Sequence, residues 1–248
     1  MFKTLCFIRS VLWLIWTAAI IIPLALLLVL SAPFSGWRWL YRIANWWGLS
    51  AVYGMKWICG VHWRTTGAEH LPTDGRKAIV LSKHQSTWET LAYLALSPRP
   101  LCYVYKKELH WIPFFGWAIG SMKMIHIDRS QRNAAFKKVV EQGQRVMKEN
   151  RWVIMFPEGT RIARGKVGAY KTGGTRLACE TGADVVPIAV SSAKCWPKGS
   201  FIKYPGIVDI RIGSPIASAG HTPDSLMLEV QTCIESEMRR LDASAYSN

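Results

Sequence analysis

Imidazole is the one side chain whose ordinary pKa lets it accept a proton near neutral pH. In this 248-residue chain His84 has a carboxylate five residues on, in the run Lys83-His84-Gln85-Ser86-Thr87-Trp88-Glu89. A buried carboxylate beside an imidazole fixes its tautomer and stabilises the imidazolium that forms, so His84 and Glu89 have the makings of a general base and its orienter. With no side-chain nucleophile in the pair, the histidine would activate a substrate hydroxyl directly. The competing reading is an ordinary loop histidine, because a His and a Glu at some short spacing occur in most chains.

Helical geometry narrows the setting. Five residues at about 100° each put the two side chains about 140° apart on an ideal helix, so they cannot share a helical face. Ser86 or Thr87 is a natural N-cap. With His84 in the loop before the cap and Glu89 in the first turn, the imidazole folds back toward the carboxylate. A second cluster is Phe156-Pro157-Glu158-Gly159-Thr160-Arg161, followed by Arg164, Lys166 and Lys171 among Gly165, Gly168, Gly173 and Gly174. Glycines let backbone approach a ligand, and Arg161 offers a planar fork suited to phosphate oxygens. The run is not a P-loop: Gly159 and Gly165 are one residue too far apart, and Val167 stands where Ser or Thr should follow the Lys. A solvated basic loop is the plain alternative.

The elements that must position these residues alternate in type. Residues 78–81, 101–105, 125–127, 152–156, 185–190 and 207–212 read as strands, the fourth stopped by Pro157. Residues 86–96, 112–122, 130–150 and 172–181 read as helices, and a final helix opens at Thr222-Pro223 and runs to about 241. Within 130–150, Phe136, Val139, Val140, Gly143 and Met147 follow helical spacing. The alternation predicts an α/β fold, a mainly parallel central sheet flanked by helices. Residues 243–248 read as a loose tail.

The N-terminal quarter differs. Residues 1–68 hold no acidic residue and eight of the 13 tryptophans, and residues 11–30 are uncharged. A helix of that length matches a bilayer's hydrocarbon core of roughly 30 Å and exceeds the apolar region of a secretory signal. A retained membrane-embedded helix is therefore expected; Pro23 allows a kinked span or a re-entrant hairpin. Residues 34–63, with Phe34, Trp37, Trp39, Trp46, Trp47, Trp57 and Trp63 among isolated basic residues, suit a headgroup layer. The expected organisation is an anchor over 1–64 and an α/β domain over 65–248. The formal charge of +15 calls for an anionic partner: nucleic acid, an anionic bilayer or a phosphorylated substrate. Six scattered cysteines without a CxxC motif argue against disulfides and a structural zinc site. The chain lacks G-x-S-x-G, which argues against a serine hydrolase of the α/β type.

Taken together, His84-x4-Glu89 and Phe156-Pro157-Glu158-Gly159-Thr160-Arg161 resemble the glycerolipid acyltransferases, in particular the bacterial 1-acyl-sn-glycerol-3-phosphate acyltransferase family. Two further blocks are similar: Lys107-Glu108-Leu109, Pro113, Phe115-Gly116, Gly120 and Ile127-Asp128-Arg129, then Val186-Pro187-Ile188-Ala189-Val190. All four occur in the family's order over roughly residues 78–190. Two positions depart from the usual pattern, which has Asp where this chain has Glu89 and Asn where it has Lys83. The resemblance implies that His84, oriented by Glu89, deprotonates the sn-2 hydroxyl of lysophosphatidic acid, which attacks an acyl-CoA or acyl-carrier-protein thioester. It also implies that Arg161, with Lys107 and Arg129, binds the acceptor phosphate, and that Glu158, Gly159 and Thr160 shape that pocket. Glu158 would hydrogen-bond the glycerol backbone. No metal or cofactor is required. The implied partners are these substrates and membrane lipids rather than nucleic acid, at a bacterial inner membrane with the site facing the cytoplasm. Another acceptor, such as glycerol 3-phosphate or a different lyso-lipid, is the alternative. His110 and His126 are read as packing near the second block, and Trp88 as an apolar wall.

Overall fold

The computed structural model describes residues 1–112, 115–127 and 132–246. Its centre is a seven-stranded sheet of β1 (Val61–Thr66), β2 (Ala78–Ser82), β3 (Leu101–Lys106), β4 (Ile125–Ile127), β5 (Trp152–Met155), β6 (Asp184–Val190) and β7 (Gly206–Ile212). The spatial order is β1-β7-β6-β2-β5-β3-β4. Strands β2 to β6 run parallel to one another, β7 is antiparallel to β6, and β1 lies parallel to β7 at the edge. The expected α/β fold with a mainly parallel sheet is observed.

β2 shows why. Its five residues are all buried, as a strand covered on both faces must be. Ile79 and Leu81 point into a core shared with α5 (Arg132–Lys148), α6 (Gly173–Thr181) and α7 (Pro223–Leu241). Ala78 and Val80 point the other way, toward Trp88, Leu91 and Ala92 of α3 (Trp88–Leu96) and toward Trp13, Ala51 and Met55 from the N-terminal helices. The period of two along the strand thus separates two cores. α4 (Phe115–Ser121) follows a 3₁₀ turn at Lys107–Trp111. α7 opens as its sequence predicts: Thr222 accepts from the Ser225 amide, Ser225 Oγ accepts from the Thr222 amide, and Pro223 occupies the first helical position.

The N-terminal helices α1 (Phe2–Ser31) and α2 (Trp37–Gly54) pack side by side, with Trp13 Nε1 donating to the Ala51 carbonyl at 2.8 Å. α2 in turn lies on α3, burying Leu40, Ile43 and Ala44. α1 is the one helix among the described residues long and apolar enough to cross a membrane, and only 11% of its most apolar 18-residue window is buried. Ile8, Leu12, Ile15, Ile22, Leu26 and Leu30 face outward, joined by Phe34 at 90% and Trp57 at 76% exposure. An apolar surface of that extent fits a membrane rather than water.

Two elements differ from expectation. β1 begins within the stretch read as interfacial, so the sheet starts at Val61. Gly60, at φ +72°, turns the chain out of a helical segment, and the strand has a largely exposed outer edge that blurs its alternation. Trp63 is accordingly a half-buried strand residue, in edge contact with Tyr53. Residues 243–246 form a short helix, α8 (Ala243–Tyr246), rather than a loose tail. It is held beside the basic loop by a bidentate Arg164–Asp242 pair at 2.7 Å.

Candidate active site

His84 leaves the carboxyl end of β2, the edge of a parallel sheet where ligands gather in open α/β folds. Lys83 continues the ladder by donating to the Ile188 carbonyl at 2.9 Å, and α3 starts at Trp88. Glu89 in its first turn is wholly buried and reaches back over the connecting loop. Its Oε1 accepts from the amides of Gln85 (2.8 Å) and Ser86 (2.9 Å) and from Ser192 Oγ (2.5 Å). Its Oε2 accepts from the Ser86 amide at 2.9 Å and stands 3.7 Å from His84 Nδ1. These hydrogen bonds fix the carboxylate in place. The expected setting of the pair is present, His84 in the loop and Glu89 in the first turn; Thr87 occupies the cap position without a side-chain capping bond, and Ser86 Oγ accepts from the Trp88 amide at 3.2 Å.

The histidine is 16% exposed, with Nδ1 buried and without a hydrogen-bond partner. The 3.7 Å gap is longer than a hydrogen bond, and catalytic contacts of this kind commonly tighten when substrate binds. The imidazole stacks on Phe156, with ring centroids 3.9 Å apart and planes within 17°. That contact fixes the ring plane and comes from the end of β5, where Pro157 halts the strand.

The loop after β5 folds across the histidine. Ile162 donates its amide to the His84 carbonyl at 2.7 Å, and Lys171 donates to the Pro157 carbonyl at 2.9 Å. Gly159 sits at φ +65°, a conformation that favours glycine, and a Cβ there would lie 3.1 Å from Lys171 Nζ. Arg161 is exposed and donates to Thr87 Oγ1 at 2.6 Å, which holds its guanidinium at the mouth of the site over the start of α3. Thr160 and Gly159 are exposed beside it, and Lys107 is exposed at the end of β3, one strand beyond β5. Arg129 lies outside the described residues.

Glu158, expected to shape the phosphate pocket and hydrogen-bond the glycerol backbone, points inward. Its side chain has no exposed surface; Oε1 accepts from Lys83 Nζ at 2.7 Å and Oε2 from the His84 amide at 2.9 Å. Burial pushes its carboxyl above the usual carboxylate range, against the opposing pull of the Lys83 ammonium and these hydrogen bonds. Sequence reasoning missed Ser192 and the stacking role of Phe156. Ser192 lies just past β6, two residues beyond the fourth block, and the end of a parallel strand next to the pair was the available signal. His110 and His126 form an aromatic group with Tyr105 at the β3–β4 edge, Tyr105 hydroxyl bonding His110 Nε2. Trp88 is fully buried, as an apolar wall would be.

The arrangement offers a partly exposed imidazole backed by a carboxylate, a fixed ring plane, and a guanidinium at the mouth. Comparison with known proteins matches residues 62–191 to the acyltransferase family model. Curated relatives include a 1-acyl-sn-glycerol-3-phosphate acyltransferase of Pseudomonas aeruginosa, 38% identical over 88% of this chain and 84% of its own length. One of the same name from Limnanthes douglasii is 30% identical over 88% of this chain and 76% of its own. Among solved structures, a 1-acyl-sn-glycerophosphate acyltransferase from Thermotoga maritima aligns with a TM-score of 0.80 over 98% of each chain at 23% identity, which supports the fold.

Proposed function

The chain belongs to the acyltransferase family, and we propose that it transfers a fatty acyl chain from an acyl thioester to the sn-2 hydroxyl of lysophosphatidic acid, making phosphatidic acid. The observation that carries this reading is the buried Glu89 carboxylate set 3.7 Å behind His84 Nδ1, with Arg161 at the mouth. In this mechanism Nδ1 carries its proton toward Glu89, leaving Nε2 to take the proton of the acceptor hydroxyl. The oxygen attacks the thioester carbonyl, the tetrahedral intermediate collapses, and the C–S bond breaks. The imidazolium returns its proton to the departing thiolate. Glu89 stabilises the transient imidazolium without itself being protonated.

Arg161, with Lys107 and Arg129, binds the acceptor phosphate by charge-assisted hydrogen bonds. Gly159 and Thr160 give the phosphate close access to backbone. Glu158, buried as it is, shapes the pocket from beneath by holding the loop. The donor is acyl-CoA or acyl-carrier protein. Residues 1–64 serve as the anchor of a catalytic domain over 65–248, with β1 completing its sheet. The outward apolar face of α1 supports attachment to a bacterial inner membrane, with the site on the cytoplasmic side, where the acceptor's own chain is already embedded.

The test is a panel of acceptors with labelled acyl-CoA and acyl-carrier protein, using full-length protein and His84→Ala. Lysophosphatidic acid should be preferred and His84→Ala should be inactive while folded. Preference for glycerol 3-phosphate or another lyso-lipid would overturn the acceptor, and residual turnover by His84→Ala would overturn the base.

A further inference from the structure

Behind His84 lies a buried charge cluster that the acyl-transfer steps leave unused. Lys83 is fully buried, and its ammonium donates to Glu158 Oε1 at 2.7 Å, to Glu235 Oε1 at 2.7 Å and to the Lys166 carbonyl at 3.2 Å. An ammonium has three N–H donors, and each here has an acceptor. Glu158 gives its second oxygen to the His84 amide. Glu235, on α7, also accepts from the Tyr170 hydroxyl at 2.7 Å, while its Oε2 is buried with no hydrogen-bond partner. On the other side of the histidine, Gln85 Nε2 donates to the Tyr246 hydroxyl of α8 at 3.4 Å. Backbone flanking the base is thereby tied to C-terminal helices, Glu235 lying 152 residues from Lys83 in sequence.

We propose that Lys83 and Glu235 are positioning residues for the acyl transfer: with Glu158 they form a buried ion triad that holds the His84 backbone so that its ring meets Glu89. The proposal rests on the reading of His84 as the base. An uncompensated buried charge is costly, so removing one partner of such a cluster disturbs the rest. The triad has one cation for two carboxylates. Desolvation raises the Glu158 carboxyl, Lys83 lowers it, and the charge of Glu235 raises it again. The groups facing Glu158 are Lys83 and His84 after β2, Tyr170 on its own loop, Glu235 on α7 and Tyr246 on α8. Protonating Glu158 weakens its bonds to both Lys83 and the His84 amide, so the triad should loosen, and activity fall, on the acid side.

The experiment measures kcat and KM against pH for full-length Lys83→Met, Glu235→Gln and the double variant in liposomes, with lysophosphatidic acid and labelled acyl-CoA. Lys83→Met should lower plateau kcat about 10–100-fold with acceptor KM within about threefold, the mark of a group acting on the transition state rather than on binding. It should also move the acid limb of kcat up by about one pH unit, because the Glu158 carboxylate loses its cation. Glu235→Gln removes a negative charge and should move the limb to lower pH. The double variant should depart from additivity. Limbs unmoved in folded single variants overturn the proposal, since a loss of stability alone reduces active enzyme without shifting them. If Lys83→Met does not fold, Glu235→Gln decides: a limb at lower pH supports the triad, and an unmoved one overturns it. His84→Ala is run alongside. Its residual turnover would sink the base assignment, whereas its inactivity with unmoved limbs in the triad variants would sink the triad alone.

Discussion

Replacing Glu89 by Gln isolates what the carboxylate charge contributes. The side chain keeps its shape, and a carboxamide oxygen can still accept from Gln85, Ser86 and Ser192, so the loop should survive. What disappears is the attraction between carboxylate and imidazolium. At the observed 3.7 Å, and with an effective dielectric constant of about 20 for a site near the surface, that attraction is about 4.5 kcal/mol. With the oxygen turned to those donors, the NH2 group faces His84 Nδ1 and returns none of it. With 1.36 kcal/mol per decade of rate, a fall in kcat of about 10³ is expected. The assay is turnover of labelled acyl donor at saturating substrates, with thermal unfolding measured on the same preparation. A folded Glu89→Gln enzyme within tenfold of the parent kcat would refute the orienting role, because a carboxylate set behind the base cannot be worth so little during proton transfer.

Three other outcomes follow from the same geometry. Arg161→Ala should raise the KM for a phosphorylated acceptor by roughly 10–100-fold with kcat little changed, as expected for a charge-assisted contact made equally in ground and transition states; steady-state kinetics with varied acceptor checks it. Ser192→Ala deletes a donor to buried Glu89 Oε1 and should cost about 1–2 kcal/mol of stability and about tenfold in kcat, read by denaturant unfolding and turnover. Ile15→Lys with Ile22→Lys puts charges on the outward face of α1, each costing about 2.5–3.5 kcal/mol at a bilayer centre, so the folded protein should shift toward the aqueous fraction in liposome flotation.

Local chemistry made much of the molecule legible. Pro157 marks the end of β5 because it cannot continue a ladder, and Thr222-Pro223 marks the start of α7 because a hydroxyl and a fixed φ suit a helix N-terminus. The spacing of His84 and Glu89 excluded a shared helical face and suited the strand–loop–helix junction that is observed. β1 was missed because it contributes an edge strand whose outer face is largely exposed, which leaves little apolar alternation to see. The packed turn of α8 was missed because it is held by Asp242 and by residues far away in sequence rather than by its own composition.

The sequence by itself determined the chemistry available here: an imidazole, a carboxylate, a guanidinium beside glycines, and an apolar N-terminal helix, each recognisable from residue type and short-range spacing. Only the tertiary structure decided which groups cooperate. Ser192 reaches Glu89 from 103 residues away, and Glu235 meets Lys83 across 152. Glu158, which sequence would set against substrate, turns inward to hold Lys83 and the His84 amide. Such pairings depend on the order of strands in the sheet and on desolvation inside it, and neither is written in any local run of residues.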